Sequence, residues 1–256
     1  MMDIPTPDLA GKISPEEWQM RIDLAACYKL LVLHQWDDLI YTHVSAKVPG
    51  TEHFLINPFG LTFSEVNASN LVKIDIDGNI IQEDCPFAIN PAGFTIHSAV
   101  HAARDDATCV IHIHQDDAIA VASQKHGLLP LSQYAAFALA SMSYHDYEGL
   151  AVDEGECKRL QADLGDANFM LLPNHGALTV GQTIGDAFMH MYDLIRACQI
   201  QLKMQQSGAE LIYLPEHIVP NIKAQANIVH TGQTGGQKAW PAMLRRVKAV
   251  FPDFDQ

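Results

Sequence analysis

Apolar residues recur at helical spacing at Ile22, Ala25, Ala26, Leu30 and Leu33, directly after a helix-start signal. In Ser14-Pro15-Glu16-Glu17 the serine can cap, the proline suits the first helical position, and Glu17 completes a capping box. The pattern predicts a helix from 14 to about 35, broken by Asp37-Asp38. Strands are predicted at 39–48 and 53–57, separated by Pro49-Gly50. Residues 71–76 alternate and end on Asp77-Gly78, a hairpin signal that predicts a return strand over 79–82.

Further along, the pattern predicts helices at 91–104, 116–124, 153–164 and 183 to about 207. It predicts strands at 108–114, 168–172 and 177–180. Residues 127–149 mix loop and helix. Strands and helices interleave without strict alternation. The expected fold is a single three-layer α/β/α domain: a central mixed sheet with helices on both faces. The expected organisation is an N-terminal arm at 1–13, a main domain at 14–208, and a C-terminal extension at 209–256. Within that extension, 230–237 reads as a flexible Gly- and Gln-rich link and 240–251 as an amphipathic docking helix.

Charge narrows the partners. The net charge of -14 disfavours nucleic acid and anionic lipid surfaces. The five cysteines are scattered without a CxxC pair, which fits reduced thiols better than a disulfide framework or thiolate metal site. No stretch reaches the ~18–20 apolar residues of a membrane span, and the N-terminus lacks a signal-peptide core. A cytoplasmic protein is expected.

The strongest chemical signal is Val110-Ile111-His112-Ile113-His114. Residues two apart on a strand share a face, so His112 and His114 project together. His175, in the turn Pro173-Asn174-His175-Gly176, adds a third imidazole at a strand end. Three histidines with an open fourth position is the catalytic zinc pattern. Zinc is expected, or another divalent ion such as Mn2+. His97 and His101, four apart on one helical face, read better as a packed, hydrogen-bonded pair. Asp116 and Asp117 could orient a ligand histidine or cap the helix they begin. Tyr144, His145, Asp146, Tyr147 and Glu148 concentrate titratable groups; His145 or Glu148 could serve as base and Tyr144 or Tyr147 as acid.

From about Arg21 to Gly208 the chain resembles the class II aldolase/adducin head family, on the adducin-like bacterial side. The landmarks are Thr42-His43-Val44-Ser45, Asn57-Pro58-Phe59-Gly60, Asn90-Pro91-Ala92-Gly93-Phe94, residues 110–114 and Asn174-His175-Gly176. The resemblance implies a class II aldolase-like fold and a homotetramer with an inter-subunit active site for a small-molecule substrate. It implies a metal on His112, His114 and His175, with Tyr134 reaching a neighbour's site as proton donor. It also places His43, Asn57, Gly60 and Gly93 among substrate-binding positions.

The departures redirect the chemistry. The aldolases carry a catalytic glutamate where this chain has Gly93, and phosphate-binding serines where it has Pro91 and Ala92. Aldol cleavage needs a well-placed base, whereas decarboxylation needs chiefly an electron sink. A metal-dependent lyase of aldolase or decarboxylase type, acting on a hydroxy-carbonyl or keto-acid substrate, is the expected function. A non-catalytic adducin-like oligomerising module and a metal-bound epimerase are the alternatives.

Overall fold

The computed structural model describes residues 4–9, 11–82, 85–149 and 154–256. Helix α1 spans Pro15–Leu33, with the Ser14 side chain accepting from Glu17 N as its cap. It ends in a Schellman motif. Gln35 N donates to Val32 O at 3.0 Å and Trp36 N to Leu31 O at 2.9 Å, with Gln35 in the left-handed region at φ 58°. The stop therefore precedes Asp37-Asp38, and burial of Trp36 anchors it.

The strands are β1 (His43–Lys47), β2 (Phe54–Ile56), β3 (Val72–Ile74), β4 (Cys109–Ile113), β5 (Met142–Tyr144), β6 (Phe169–Leu172) and β7 (Gly176–Gly181). They form one seven-stranded sheet in the order β3-β2-β1-β4-β7-β6-β5. All neighbours are antiparallel except β5 and β6. The sheet is mixed, as expected.

Alternation sorts the two faces. Val44 and Ala46 of β1, Cys109, Ile111 and Ile113 of β4, and Phe169 and Leu171 of β6 enter one core with α1. The same core takes α3 (Asp116–Ala122), α4 (Gln133–Leu139), α6 (Ile184–Gln206) and α8 (Gly235–Val250). The opposite face carries Val110, Met170, Leu172, Leu178 and Val180. These pack against Ile96 and Val100 of α2 (Pro91–Ala103) and Leu160 and Leu164 of α5 (Glu154–Leu164). Each fully buried Leu, Ile or Val contributes roughly 1.5–3 kcal/mol relative to exposure. His43, Ser45 and His112 sit between the apolar positions, on the α2 side.

Three expectations need correction. Residues 79–82 form no strand; Ile80 makes an isolated bridge to Ile74. The Asp75 carboxylate accepts from Asp77 N, Asn79 N and Asn79 Nδ2 and holds the turn, and the return segment pairs only through Asp75 N to Asn79 O and Ile81 N to Lys73 O, one bridge long. β1 begins at His43 rather than 39, because Leu39 is exposed and left-handed at φ 49°. The Gly- and Gln-rich segment supplies the start of α8: Thr234 and Gln237 form a capping box. Helix α7 (Ile218–Val229) was not expected; Ile222 is its one buried residue. The expected helix start at residue 153 lies outside the described residues.

α8 packs on its own chain. Trp240, Met243, Leu244 and Val247 join the α1/α6 core, and Trp240 Nε1 donates to Asp23 Oδ1 at 2.9 Å. After α8, Ala68 N donates to Phe254 O and Ser69 N to Gln256 O. Among the described residues no helix is long and apolar enough to cross a membrane.

Candidate metal centre

β4 occupies the middle of the sheet; His112 is its last residue on the α2 side, and His114 follows just beyond the strand end. The turn before β7 brings His175 over them. Asn174 adopts φ 60°, and its N–H donates to Ser123 Oγ at 2.8 Å. Gly176 then passes so close to β4 that an added Cβ would lie 2.4 Å from Ile113 O. One ring nitrogen from each of the three histidines lies within 4.8 Å of the others. Ring centroids are 4.9 Å (His112–His114), 4.7 Å (His112–His175) and 5.0 Å (His114–His175) apart.

Hydrogen bonds select the tautomers. His112 Nδ1 lies 3.2 Å from Ala177 O, which can only accept, so Nδ1 carries the hydrogen. His114 Nδ1 donates to Asp38 Oδ2 at 2.9 Å. Both rings therefore present a bare Nε2, and those atoms are 3.2 Å apart. Two ligand nitrogens about 2.0–2.1 Å from a tetrahedral ion stand roughly 3.3 Å apart, so the donor set fits a divalent ion such as zinc. Burial, reinforced by the neighbouring imidazoles, holds His112 well below the usual histidine range and pushes His175 down to about 4. The neutral imidazole is the ligating form.

The carboxylate that orients a histidine of the triad is Asp38, which the sequence offered only as a helix breaker. Asp116 and Asp117 occupy the first turn of α3, whose cap is the Gln115 side chain accepting from Ala118 N. His97 and His101 are buried, and both bond Ser45 Oγ, at 2.6 and 2.7 Å.

The other candidates separate. His43 lies beside the cluster, its ring stacked on His112 at 5.9 Å, and Gly93 lies against His43. Burial pushes His43 down to about 3. Asn57 is buried with Oδ1 accepting from Tyr28 OH at 2.9 Å, and Gly60 lies in an exposed turn at φ 98°. Tyr134 of α4 sits on the other core, 6.3 Å from the Tyr192 ring with Arg196 above it. His145 is buried and donates from Nδ1 to Asp163 Oδ2 at 2.7 Å. Glu148 accepts from Arg159 Nε at 2.7 Å. Tyr144 OH accepts from Leu128 N, whereas the half-exposed Tyr147 ring stands 5.9 Å from His175. A cavity of about 550 Å³ lies between Leu9, Ile13, Pro15 and Trp18 and shares no residue with the triad.

Comparison with known proteins agrees with this architecture. The family profile for the Class II Aldolase and Adducin N-terminal domain matches residues 22–202. A Pseudomonas aeruginosa protein classed with the class 2 aldolases is 55% identical over 251 residues, covering 97% of this chain and 96% of its own length. Mouse alpha-adducin is 44% identical over 214 residues, covering 81% of this chain but 29% of the adducin. The crystal structure of an aldolase II superfamily protein from Pseudomonas syringae superimposes with a TM-score of 0.91 at 44% identity, over 98% of this chain and all of that one. Sheet order, histidine triad and sequence likeness converge: the chain belongs to the class II aldolase and adducin family.

Proposed function

We propose that the chain is a divalent-metal-dependent lyase that cleaves a carbon–carbon bond, in aldolase or decarboxylase fashion, in a small hydroxy-carbonyl or keto acid. The observation that carries this reading is the pair of bare Nε2 atoms on His112 and His114, 3.2 Å apart with both Nδ1 hydrogens committed elsewhere. His112, His114 and His175 would hold the ion, with zinc favoured by the all-imidazole set and Mn2+ the alternative. Bound there, the ion would supply Lewis-acid stabilisation of the enolate that both reactions share.

The chain's own groups do the remaining work. Asp38 and the Ala177 carbonyl fix the ligand rings. Tyr147 places a phenol beside His175, suited to proton donation. Tyr134, engaged with Tyr192 and Arg196 in its own chain, would act in a neighbouring site of a homotetramer. We place that tetramer in the cytoplasm.

A second reading, a non-catalytic oligomerising head, draws on the 44% identity to mouse alpha-adducin. Elemental analysis separates the two. The lyase reading expects one divalent ion per chain, lost in His114→Ala, and then release of aldehyde or carbon dioxide from a panel of hydroxy and keto acids. A wild-type chain that holds no metal after reconstitution would remove the lyase reading in favour of the head.

A further inference from the structure

The space beside Gly93 is already taken. A Cβ built there would lie 2.4 Å from His43 Cδ2 and 2.5 Å from His43 Nε2, so only glycine fits while that ring keeps its place. His43 is directly opposite His112 in the β1–β4 ladder, and the two rings are inclined by 20°. The imidazole thus stands where any position-93 side chain would have to stand, next to the triad.

The hydrogen bonds around His43 assign its nitrogens. Asn90 Nδ2 donates to His43 Nε2 at 3.2 Å, which leaves the hydrogen of the neutral ring on Nδ1. That Nδ1 is buried and has no partner among the described residues. Behind it the tautomers follow one another. His101 Nδ1 lies 2.9 Å from Ala107 O and must donate. Its bare Nε2 takes the Ser45 hydroxyl hydrogen at 2.7 Å. Ser45 Oγ, its hydrogen spent, accepts from His97 Nδ1 at 2.6 Å. His97 Nε2 is left bare, and it too is buried without a partner among the described residues. The His97 and His43 rings are perpendicular, with centroids 5.6 Å apart.

Two adjoining rings therefore hold one unpartnered N–H and one unpartnered acceptor. Buried polar groups are nearly always satisfied, and an exception at a site calls for a reason. A ring that gains a second proton during a reaction needs an acceptor behind it, and this arrangement supplies one.

We propose that His43 is the proton-transfer residue of this site, with His101, Ser45 and His97 acting as positioning residues that fix its tautomer. The assignment rests on the lyase reading above. His43 Nε2 exchanges Asn90 for the substrate and takes the proton from a carbon next to a carbonyl. The electron pair of the broken C–H bond remains on the substrate as its enolate. The resulting imidazolium can pass its Nδ1–H to the bare Nε2 of His97 once the two perpendicular rings, 5.6 Å apart, turn toward each other. The proton then returns from Nε2 to the product carbon, restoring the neutral ring.

The test uses the zinc-loaded full chain and hydroxyacetone in heavy water, with proton NMR following loss of the α C–H signal. Wild type is expected to exchange. His43→Asn and His43→Gln are expected to exchange at least about 100-fold more slowly with unchanged zinc content. A second readout is independent of turnover. In 15N-histidine-labelled protein, the resonance missing from His43→Asn should show an Nδ1–H tautomer, and its Nε2 signal should move when hydroxyacetone is added. Exchange retained in both variants, or an Nε2–H tautomer at His43, overturns this assignment and leaves the lyase reading standing. Zinc-loaded wild type that exchanges nothing overturns this inference alone, the lyase reading being decided by the metal content and the panel of hydroxy and keto acids.

Discussion

Asp38 Oδ2 accepts a hydrogen bond from His114 Nδ1 at 2.9 Å, joining residues 76 positions apart. The loop carrying Asp38 is fixed at both sides by left-handed residues, Gln35 and Leu39. Carboxylates that orient ligating histidines contribute about 10–100-fold to metal affinity. Asp38→Ala is expected to weaken zinc binding by that factor without unfolding the chain. Asp38→Asn, whose amide oxygen can still accept, should lose less. Competition with a chromophoric chelator measures both, and equal affinity in wild type and Asp38→Ala would refute the role.

Gly176 allows β7 to start hard against β4. Replacing it by Ala sets a Cβ against Ile113 O, a backbone atom with little freedom to move. The expected cost is about 1–3 kcal/mol, together with displacement of the adjacent His175. Thermal unfolding and zinc content should fall together. A variant that keeps full metal content would mean that the turn tolerates a shift of the strand.

The buried histidines make the metal-free protein acid-sensitive. Burial, the largest cause, pushes His43 and His101 down to about 3 from an ordinary 6.5. Above about pH 6.5 neither the folded nor the unfolded chain binds these protons. Below it the unfolded chain binds them and the folded chain does not. Stability is therefore lost as pH falls from about 6.5 toward about 3, by about 1.4 kcal/mol per pH unit for each such histidine. Urea unfolding at pH 7.5 and 5.0 checks this, and equal stability at both values would contradict it.

Gln35 closes the Schellman motif of α1 from a conformation that costs a side-chain-bearing residue about 1–2 kcal/mol. Gln35→Gly should raise stability by roughly 0.5–1 kcal/mol, the gain being partly offset by the greater freedom of glycine in the unfolded chain. A fall in melting temperature would show that the Gln35 side chain makes a contribution larger than the strain.

The triad was legible because each member is marked locally. His112 and His114 declare a shared face by their spacing, and His175 sits in a turn between two apolar runs. The mixed sheet and its helical cover followed from the same alternation. Asp38 carried no such mark: its partner lies across the fold, and two aspartates after a helix read equally well as a breaker. The Ser45–His97–His101 group was half visible. Helical spacing paired the histidines on α2, but nothing local linked them to a serine on β1. The Asp77-Gly78 signal did mark a turn, held by three donors to Asp75, but the return segment stops after the single Ile74–Ile80 bridge, and nothing local in the sequence sets that length. Helix α7 carries Ile218, Ile222, Ala226 and Val229 at helical spacing, but Pro220 interrupts the pattern in its first turn and only Ile222 is buried.

The opposition of His43 to His112 in the β1–β4 ladder, and of Ala177 to Ile113 in β4–β7, has a consequence for how the protein matures. His175 and Asp38 reach the strand pair only through distant pairings, so the newly made chain does not yet hold the three imidazoles together. Unlike small zinc-nucleated domains, this sheet has its own apolar cores and closes first. Refolding in the presence of a strong chelator should proceed at its usual rate and give a chain that is whole but chemically silent, ready to be charged afterwards.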